Sequence, residues 1–330
     1  MTQRSYKATG INLKAMPMGE SDRLVTVLTK ENGLIRAIAP GARKHKSKLA
    51  GRSGLFVVND LLFIKGKSID KLVQAETQRS FPGLSKDLAK LTSSQYLAEI
   101  ALSQALTDQP QEELYYLLIE HLTRLEAASK PNILPCLAHA TFHLLALAGV
   151  APEVFRCCLT RSPLAPRLGD PDWRAGFSVS SGGAVDVSEL ERIASDRRQA
   201  KEVAGRYSLD TAQKRGETGS FKAKVTKELA AELGIVGYLS AAELALMQQL
   251  SKPKLVMTGD SAVASQWDPR AGAQSGTIGE ADSSLIESGP HLMWQHIEKF
   301  LRQYTQYQFD RPIRSAALID TCFTPLTHAS

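Results

Sequence analysis

The chain has 330 residues, of which 43% are hydrophobic and 22% are charged, an ordinary balance for a globular protein with buried cores. No apolar run reaches the length of a membrane span, and the amino terminus lacks the basic start and apolar core of a secretory signal. We therefore expect neither a membrane protein nor a secreted one, but a cytoplasmic protein of two or three domains.

The positive charge is concentrated near the amino terminus. The whole chain has a formal net charge of +6, whereas residues 1–52 contain eleven cationic residues and three carboxylates, which gives +8. Residues 53–330 therefore carry −2. The densest stretch is residues 41–52, GARKHKSKLAGR, which we call the basic loop. A local basic surface of this kind favours a polyanionic partner.

Residues 1–80 have the pattern of a small β-barrel. Five short segments are rich in apolar and β-branched residues and are separated by turn residues: 6–14, 24–28, 34–39, 55–64 and 69–77. Turn signals such as Asn32-Gly33 and Pro40-Gly41 fall at regular intervals. This spacing predicts a five-stranded barrel, with the basic loop between its third and fourth strands.

After Pro82-Gly83 the hydrophobic period becomes that of helices. Leucines recur at helical spacing in three stretches, near residues 88–102, 110–125 and 134–147. We expect a helical domain over residues 84–150 and an irregular module, rich in Pro and Gly, over residues 151–187. Residues 188–330 are expected to supply the rest of the helical domain.

Two later segments have compositions that do not favour order. Residues 211–220 lack periodicity, and residues 258–290 consist mainly of Gly, Ser, Ala and Asp with few large aliphatic side chains. The burial of so little apolar surface cannot offset the entropy lost on ordering. We therefore predict a flexible insertion at about 258–290, followed by helical structure over residues 292–318.

The chain lacks the motifs of the common catalytic classes. There is no GxxxxGK[ST] phosphate loop, no HExxH motif and no carboxylate set of the kind that a two-metal nuclease requires. His139 and His143 share a helix face with Leu and Ala, so we expect packed side chains rather than ligands. We predict no catalytic residue.

The four cysteines do not form a complete zinc motif. Cys157 and Cys158 are adjacent at a position where a zinc ribbon could begin, and the other two are Cys136 and Cys322. A structural zinc ion needs four ligands, usually in two CxxC pairs, and no Cys or His follows Cys158 before His291. We expect no metal or other cofactor, with zinc as the disfavoured alternative, and no disulfide in a reducing compartment.

Several motifs resemble those of the RecO family of recombination mediators. Residues 6–10 and the stretch GESDRLVTVLT at 19–29, followed by Glu31-Asn32-Gly33, resemble the opening strands of the family's barrel. Residues 41–44, GARK, resemble its basic loop. Weaker similarities lie at residues 144–152, at Phe177-Ser178 with Gly182-Gly183, and at residues 301–304 and 311–315. The resemblance extends over most of the chain and is strongest in residues 1–55.

The resemblance implies an α+β multidomain fold. A five-stranded OB-fold β-barrel would be followed by an α-helical domain that contains a small zinc-ribbon-like module. Family members that bind zinc have a second cysteine pair soon after the Gly-Gly, where this chain has AVDV at residues 184–187. The module is therefore expected to be degenerate, and to be held by packing around Phe155, Trp173 and Phe177.

The resemblance also implies a non-catalytic role in DNA repair and homologous recombination. RecO-like proteins bind single-stranded and double-stranded DNA, anneal complementary strands and contact single-strand DNA-binding protein. With RecR they help RecA to load onto coated DNA. We therefore expect DNA, a RecR-like protein and single-strand DNA-binding protein as partners, the RecA filament as an indirect partner, no membrane partner and association with the nucleoid.

The charge pattern predicts a cationic surface for DNA. The candidate residues on the barrel strands and the basic loop are Arg23, Arg36, Arg43, Lys44, Lys46, Lys48 and Arg52. About five phosphate contacts to a single strand would give a salt slope of roughly −3.5. Phe56, Phe63 and Phe81 lie in or beside apolar strands, so we expect them in the core and predict binding that is independent of base sequence.

Two other functions are compatible with the same pattern. One is an RNA-binding chaperone of the OB type, which would prefer RNA to DNA of matched sequence. The other is a protein adaptor, in which the helical bundle holds a partner and the basic loop only aids solubility.

Overall fold

The computed structural model describes residues 5–206, 229–255 and 284–323. Residues 211–220, and residues 258–283 of the predicted insertion, lie outside the described residues. The chain divides into two compact units, Met1–Ala148 with Arg311–Ser330 and Gly149–Asp310. Each unit is described by itself below.

The first unit begins with a closed five-stranded barrel. Its strands are β1 (Ser5–Met18), β2 (Asp22–Thr29), β3 (Gly33–Ala39), β4 (Val57–Ile64) and β5 (Asp70–Ser80), in the order β1-β2-β3-β5-β4. A single helical turn, α1 (Leu49–Arg52), lies in the connection between β3 and β4. The five-stranded barrel predicted for the amino-terminal region is confirmed.

The barrel core combines small and β-branched side chains with the larger Leu61, Phe63 and Leu72, and core residues alternate along the strands. Val25 and Val27 on β2 and Ala37 on β3 are fully buried inside it, as is Phe63 on β4. Thr26 and Arg36, one residue away, point to the outer face because successive strand residues alternate between faces. Charged side chains such as Arg36 can therefore occupy the outer face without entering the core.

Three helices follow the barrel, after a 3-10 turn at Pro82–Lys86. They are α2 (Leu88–Gln104), α3 (Glu112–Ala127) and α4 (Ile133–Leu147), close to the periods that the leucine spacing predicts. The Asp87 carboxylate caps α2 by accepting a hydrogen bond from the Lys90 N–H. His139 on α4 is buried and its ring lies 4.0 Å from that of His143, so the prediction of packed histidines is confirmed.

The second unit contains a small sheet that the sequence pattern does not predict. β6 (Arg174–Ser178) pairs with β7 (Gly183–Asp186) and with β8 (Ile235–Ser240), in the order β7-β6-β8. The module over residues 151–187 is therefore not irregular throughout, and the region 188–330 is not purely helical. No local pattern indicates these strands, because they are short and because β8 pairs with β6 from more than fifty residues away.

The helices of the second unit are α5 (Val187–Arg206), α6 (Ala241–Gln249) and α7 (Ser284–Phe309). Ser240 and Glu243 form a capping box at the start of α6. The last seven residues of the predicted insertion, 284–290, form the first turns of α7. The closing helix α8 (Ala316–Phe323) belongs to the first unit, where it packs on α2.

Candidate nucleic-acid interface

The basic loop is held to the barrel by the turn between β1 and β2. The Gly41 N–H donates a hydrogen bond to Asp22 Oδ1 at 2.8 Å, and the Arg43 N–H donates to the Ser21 carbonyl at 2.9 Å. The Arg43 guanidinium also donates to the Gly19 carbonyl, at 2.8 Å. The motifs GESD and GARK are therefore in direct contact, and this contact explains why both occur in one chain.

Apolar contacts with the barrel core and hydrogen bonds from two arginines also hold the loop. Ala42 is fully buried in the barrel core, and Leu49 packs against the same core. Arg23 Nη1 donates to the Ala50 carbonyl at 3.0 Å and to Ser53 Oγ at 2.9 Å. Arg52 Nη1 donates to the Ala75 carbonyl on β5 at 2.6 Å. Hydrogen bonds and apolar contacts therefore fix the basic loop to the barrel.

These contacts divide the seven predicted cations into two groups. Arg23 and Arg52 are half-buried and fasten the backbone. The other five are exposed, namely Arg36, Arg43, Lys44, Lys46 and Lys48, and of these Arg43 also donates to the Gly19 carbonyl. Four of the exposed cations lie together on the basic loop, and Arg36 lies apart on the outer face of β3. Within the part of the chain that the structure describes, no carboxylate lies within 4.0 Å of the nitrogen atoms of these seven.

Asp22 is the acidic residue next to the start of the loop, and its carboxylate accepts hydrogen bonds from the loop backbone and from Ser21. The Gly41 N–H, then the Ser21 hydroxyl, then the positive charges of Lys44 and Lys71 lower the pKa of the Asp22 carboxyl. The carboxylate therefore stays ionised at physiological pH and acts as a fixed acceptor for the loop.

Lys71 is a cation of this surface that sequence reasoning missed. It is exposed at the start of β5, and its Cα is the parallel partner of Ile38 on β3. Because β3 and β5 are far apart in sequence, no local pattern indicates that Lys71 lies beside the basic loop. Only the closure of the barrel brings it there.

The outer face of β1, β2 and β3 is organised in two rows of paired residues. One row is Lys14, Thr26 and Arg36, and the next is Met16, Leu24, Ile38 and Lys71. Met16 and Met18 are 39% and 38% exposed, and Leu24 and Ile38 are half-buried. We call Met16, Met18, Leu24 and Ile38 the apolar strip.

The three phenylalanines of the barrel region are core residues, as predicted. Phe56, Phe63 and Phe81 are between 0% and 5% exposed, and Tyr6 stacks on Phe63 with ring centroids 5.4 Å apart. None of the three phenylalanines can therefore offer a stacking surface to bases.

The module at Cys157 does not fit a zinc site. Cys157 Sγ is buried in an apolar cluster with Val185 and Leu190, and it accepts a hydrogen bond from the Asp186 N–H at 3.3 Å. Burial raises the pKa of the Cys158 thiol to about 11, which disfavours the thiolate that zinc requires. Among the described residues, no group of three or more His, Cys, Asp or Glu side chains is arranged to hold a metal ion. This apolar cluster and the buried Phe177 hold the module, whereas Phe155 is 49% exposed, so the expected packing around Phe155 is wrong.

The described helices lack the features of membrane-spanning helices. None of them combines the length and the apolar composition that crossing a bilayer requires.

Comparison with known proteins gives the family. Two family models match, "Recombination protein O N terminal" over residues 1–81 and "Recombination protein O C terminal" over residues 85–214. Relatives named "DNA repair protein RecO" from Acaryochloris marina and Nostoc sp. are each 48% identical, over 98% and 97% of this chain and 97% of their own length. The RecO protein of Synechococcus elongatus is 37% identical over 97% of both chains. The chain therefore belongs to the RecO family of DNA repair proteins.

Proposed function

We propose that the protein binds single-stranded and double-stranded DNA through the basic loop and anneals complementary strands. With a RecR-type partner it would help RecA to load onto DNA that single-strand DNA-binding protein covers. It makes and breaks no covalent bond. The proposal implies a cytoplasmic, nucleoid-associated location.

The observation that carries the proposal is the state of the loop cations. Lys44, Lys46 and Lys48 are exposed on a backbone that the barrel holds in place, and no described carboxylate neutralises them at close range. Exposed cations on an anchored backbone have a high affinity for phosphates, because binding releases counterions from the nucleic acid. The names of the relatives agree with a substrate of this class.

Annealing is possible because such a surface leaves the base edges of a bound strand uncovered. Cations that contact only phosphates hold a strand by its backbone, so the base edges remain free to pair with a second strand. The duplex that forms presents the same phosphates and can stay bound. The RNA-chaperone and adaptor functions have no observation in their favour beyond the same loop.

The test is a charge reversal with a matched control. In the variant Lys44→Glu, Lys46→Glu, Lys48→Glu, we expect the salt slope for single-stranded DNA to be shallower by about 2, because each lost contact removes about 0.7. We also expect strand annealing of two complementary oligonucleotides to slow strongly. The control variant Lys86→Glu, Lys130→Glu, Lys254→Glu changes three exposed lysines outside the barrel by the same total charge.

Two results would overturn the proposal. One is an affinity for DNA that does not depend on salt. The other is an equal loss of binding in the two variants, which would mean that only net charge matters. A parallel titration with RNA of the same sequence decides between DNA and RNA as the preferred ligand.

A further inference from the structure

We propose that the apolar strip is a contact site for nucleobases, so that the outer face of β1, β2 and β3 prefers unpaired single strands to duplex. The cations beside the strip would hold the phosphates of the same strand. This inference rests on the proposed function and deepens it, because the basic loop by itself does not distinguish the two forms of DNA.

The strip faces outward because of the pairing of its strands. Ala15, Val25 and Ala37 form one row across β1, β2 and β3, and all three belong to or pack against the barrel core. The adjacent row, Met16, Leu24 and Ile38, must point away from the core, since side chains alternate between faces. Three neighbouring strands about 4.8 Å apart make this row about 10 Å wide.

Cations border the strip on several sides. Lys14 and Arg36 occupy the row on one side of it, and Lys71 continues the row of the strip itself. Lys44 lies beyond its other side, three residues after Gly41, whose N–H donates a hydrogen bond to Asp22. The result is an apolar surface with cations on several sides and one carboxylate, that of Asp22, which pairs with Met18 at its end.

This combination fits an unpaired strand better than a duplex. The faces of bases in a duplex are stacked and hidden, whereas the bases of a single strand can turn and lie on apolar side chains. The thioether of methionine is polarisable and makes favourable contacts with aromatic rings, which suits any base. Cations on the same face can contact the phosphates of that strand, which favours a nucleic acid over an apolar protein surface.

The variant that tests the site keeps its charge and its strand geometry. It carries Met16→Gln, Met18→Gln and Ile38→Thr, because glutamine has a similar length to methionine and threonine keeps the β-branched shape. The control is Leu147→Gln, a leucine at the end of α4 that is 37% exposed, close to the exposure of the two methionines. Thermal unfolding of each variant checks that the fold is intact.

Three probes separate bases from phosphates. They are a 20-nucleotide oligo-dT, the same backbone with abasic residues throughout, and a 20-base-pair duplex. We expect the wild type and the control to bind oligo-dT at least about fivefold more tightly than the abasic strand, the lower end of what one stacked base contributes. In the strip variant this advantage should disappear, while its affinity for duplex and its salt slope stay unchanged.

Other outcomes would overturn the inference. Equal affinity of the wild type for oligo-dT and the abasic strand would exclude base contacts and leave the basic-loop proposal standing. An equal loss for all three probes would assign the strip a structural role. Unchanged DNA binding together with lost binding of a RecR-type protein would make the strip a protein interface. Failure of the proposed function itself would look different, because no probe would show salt-dependent binding.

Discussion

Asp22 Oδ1 accepts a hydrogen bond from the Gly41 N–H at 2.8 Å, which joins the first turn of the barrel to the start of the basic loop. The two residues are separated by a complete hairpin, β2 and β3. This carboxylate is one of the contacts that fix the start of the loop, together with the Ser21 carbonyl that accepts from the Arg43 N–H.

Removing this acceptor should loosen the loop. In Asp22→Ala the Gly41 N–H loses its partner, and the loop cations lose their fixed positions. We expect trypsin to cleave within residues 41–52 several-fold faster than in the wild type, and the affinity for single-stranded DNA to fall. Asp22→Asn retains one oxygen acceptor, so its cleavage rate should lie between those of the wild type and Asp22→Ala. Equal cleavage rates for the wild type and Asp22→Ala would show that the apolar anchors Ala42 and Leu49 suffice.

Two glycines allow backbone strain to be separated from close packing. Gly33 has φ +63° and a Cβ there would lie 2.2 Å from the Leu106 carbonyl oxygen, whereas Gly19 has φ +58° with open space around it. We expect Gly19→Ala to lower the free energy of unfolding by about 1 kcal/mol and Gly33→Ala by about 3 kcal/mol or more. Chemical denaturation measures both. Similar losses would mean that residue 106 moves away without cost.

Glu99 on α2 fastens the segment that leads into α8. Its carboxylate accepts hydrogen bonds from the backbone N–H groups of Arg314, at 2.6 Å, and Ser315, at 3.2 Å. Glu99→Ala should lower the free energy of unfolding by about 1–2 kcal/mol, because two N–H groups lose a charged acceptor. Hydrogen exchange should show reduced protection in α8. Glu191→Ala, at an exposed position of α5, is the control and should change neither quantity.

His121 should make the stability of the first unit depend on pH. Burial, followed by the charges of His143, His139 and Arg124, lowers the pKa of His121 to about 2. Below the ordinary pKa of about 6.5 the unfolded chain binds a proton at this residue and the folded chain does not. The free energy of unfolding should therefore fall as the pH falls from about 6.5 towards 2, by at most about 1.4 kcal/mol per pH unit from this group.

The measurement for His121 is chemical denaturation at several pH values between 7 and 4. His121→Gln should give a shallower dependence on pH than the wild type. His45→Gln changes an exposed histidine of the basic loop and should reproduce the wild-type dependence. If all three proteins gave the same dependence, His121 would not be the group that couples protonation to unfolding.

Much of the architecture could be predicted from local patterns. The five strands, the helices α2, α3 and α4 and the basic loop all follow from hydrophobic period and turn residues, which act between neighbours in the chain. The buried phenylalanines follow in the same way, because Phe56 and Phe63 lie in or beside an apolar run. The short strands β6, β7 and β8 could not be predicted, since a strand of four to six residues acquires its stability from its partners.

The sequence by itself therefore determined the elements of this protein and the position of its charge along the chain. Only the tertiary structure decided which charges share a surface. Barrel closure places Lys71 beside the basic loop, turns Arg23 and Arg52 towards backbone carbonyls, and aligns Met16, Leu24 and Ile38 in one outward row. The physical reason is that pairing between distant strands fixes register and facing, and this pairing depends on the packing of the whole barrel and not on any local segment.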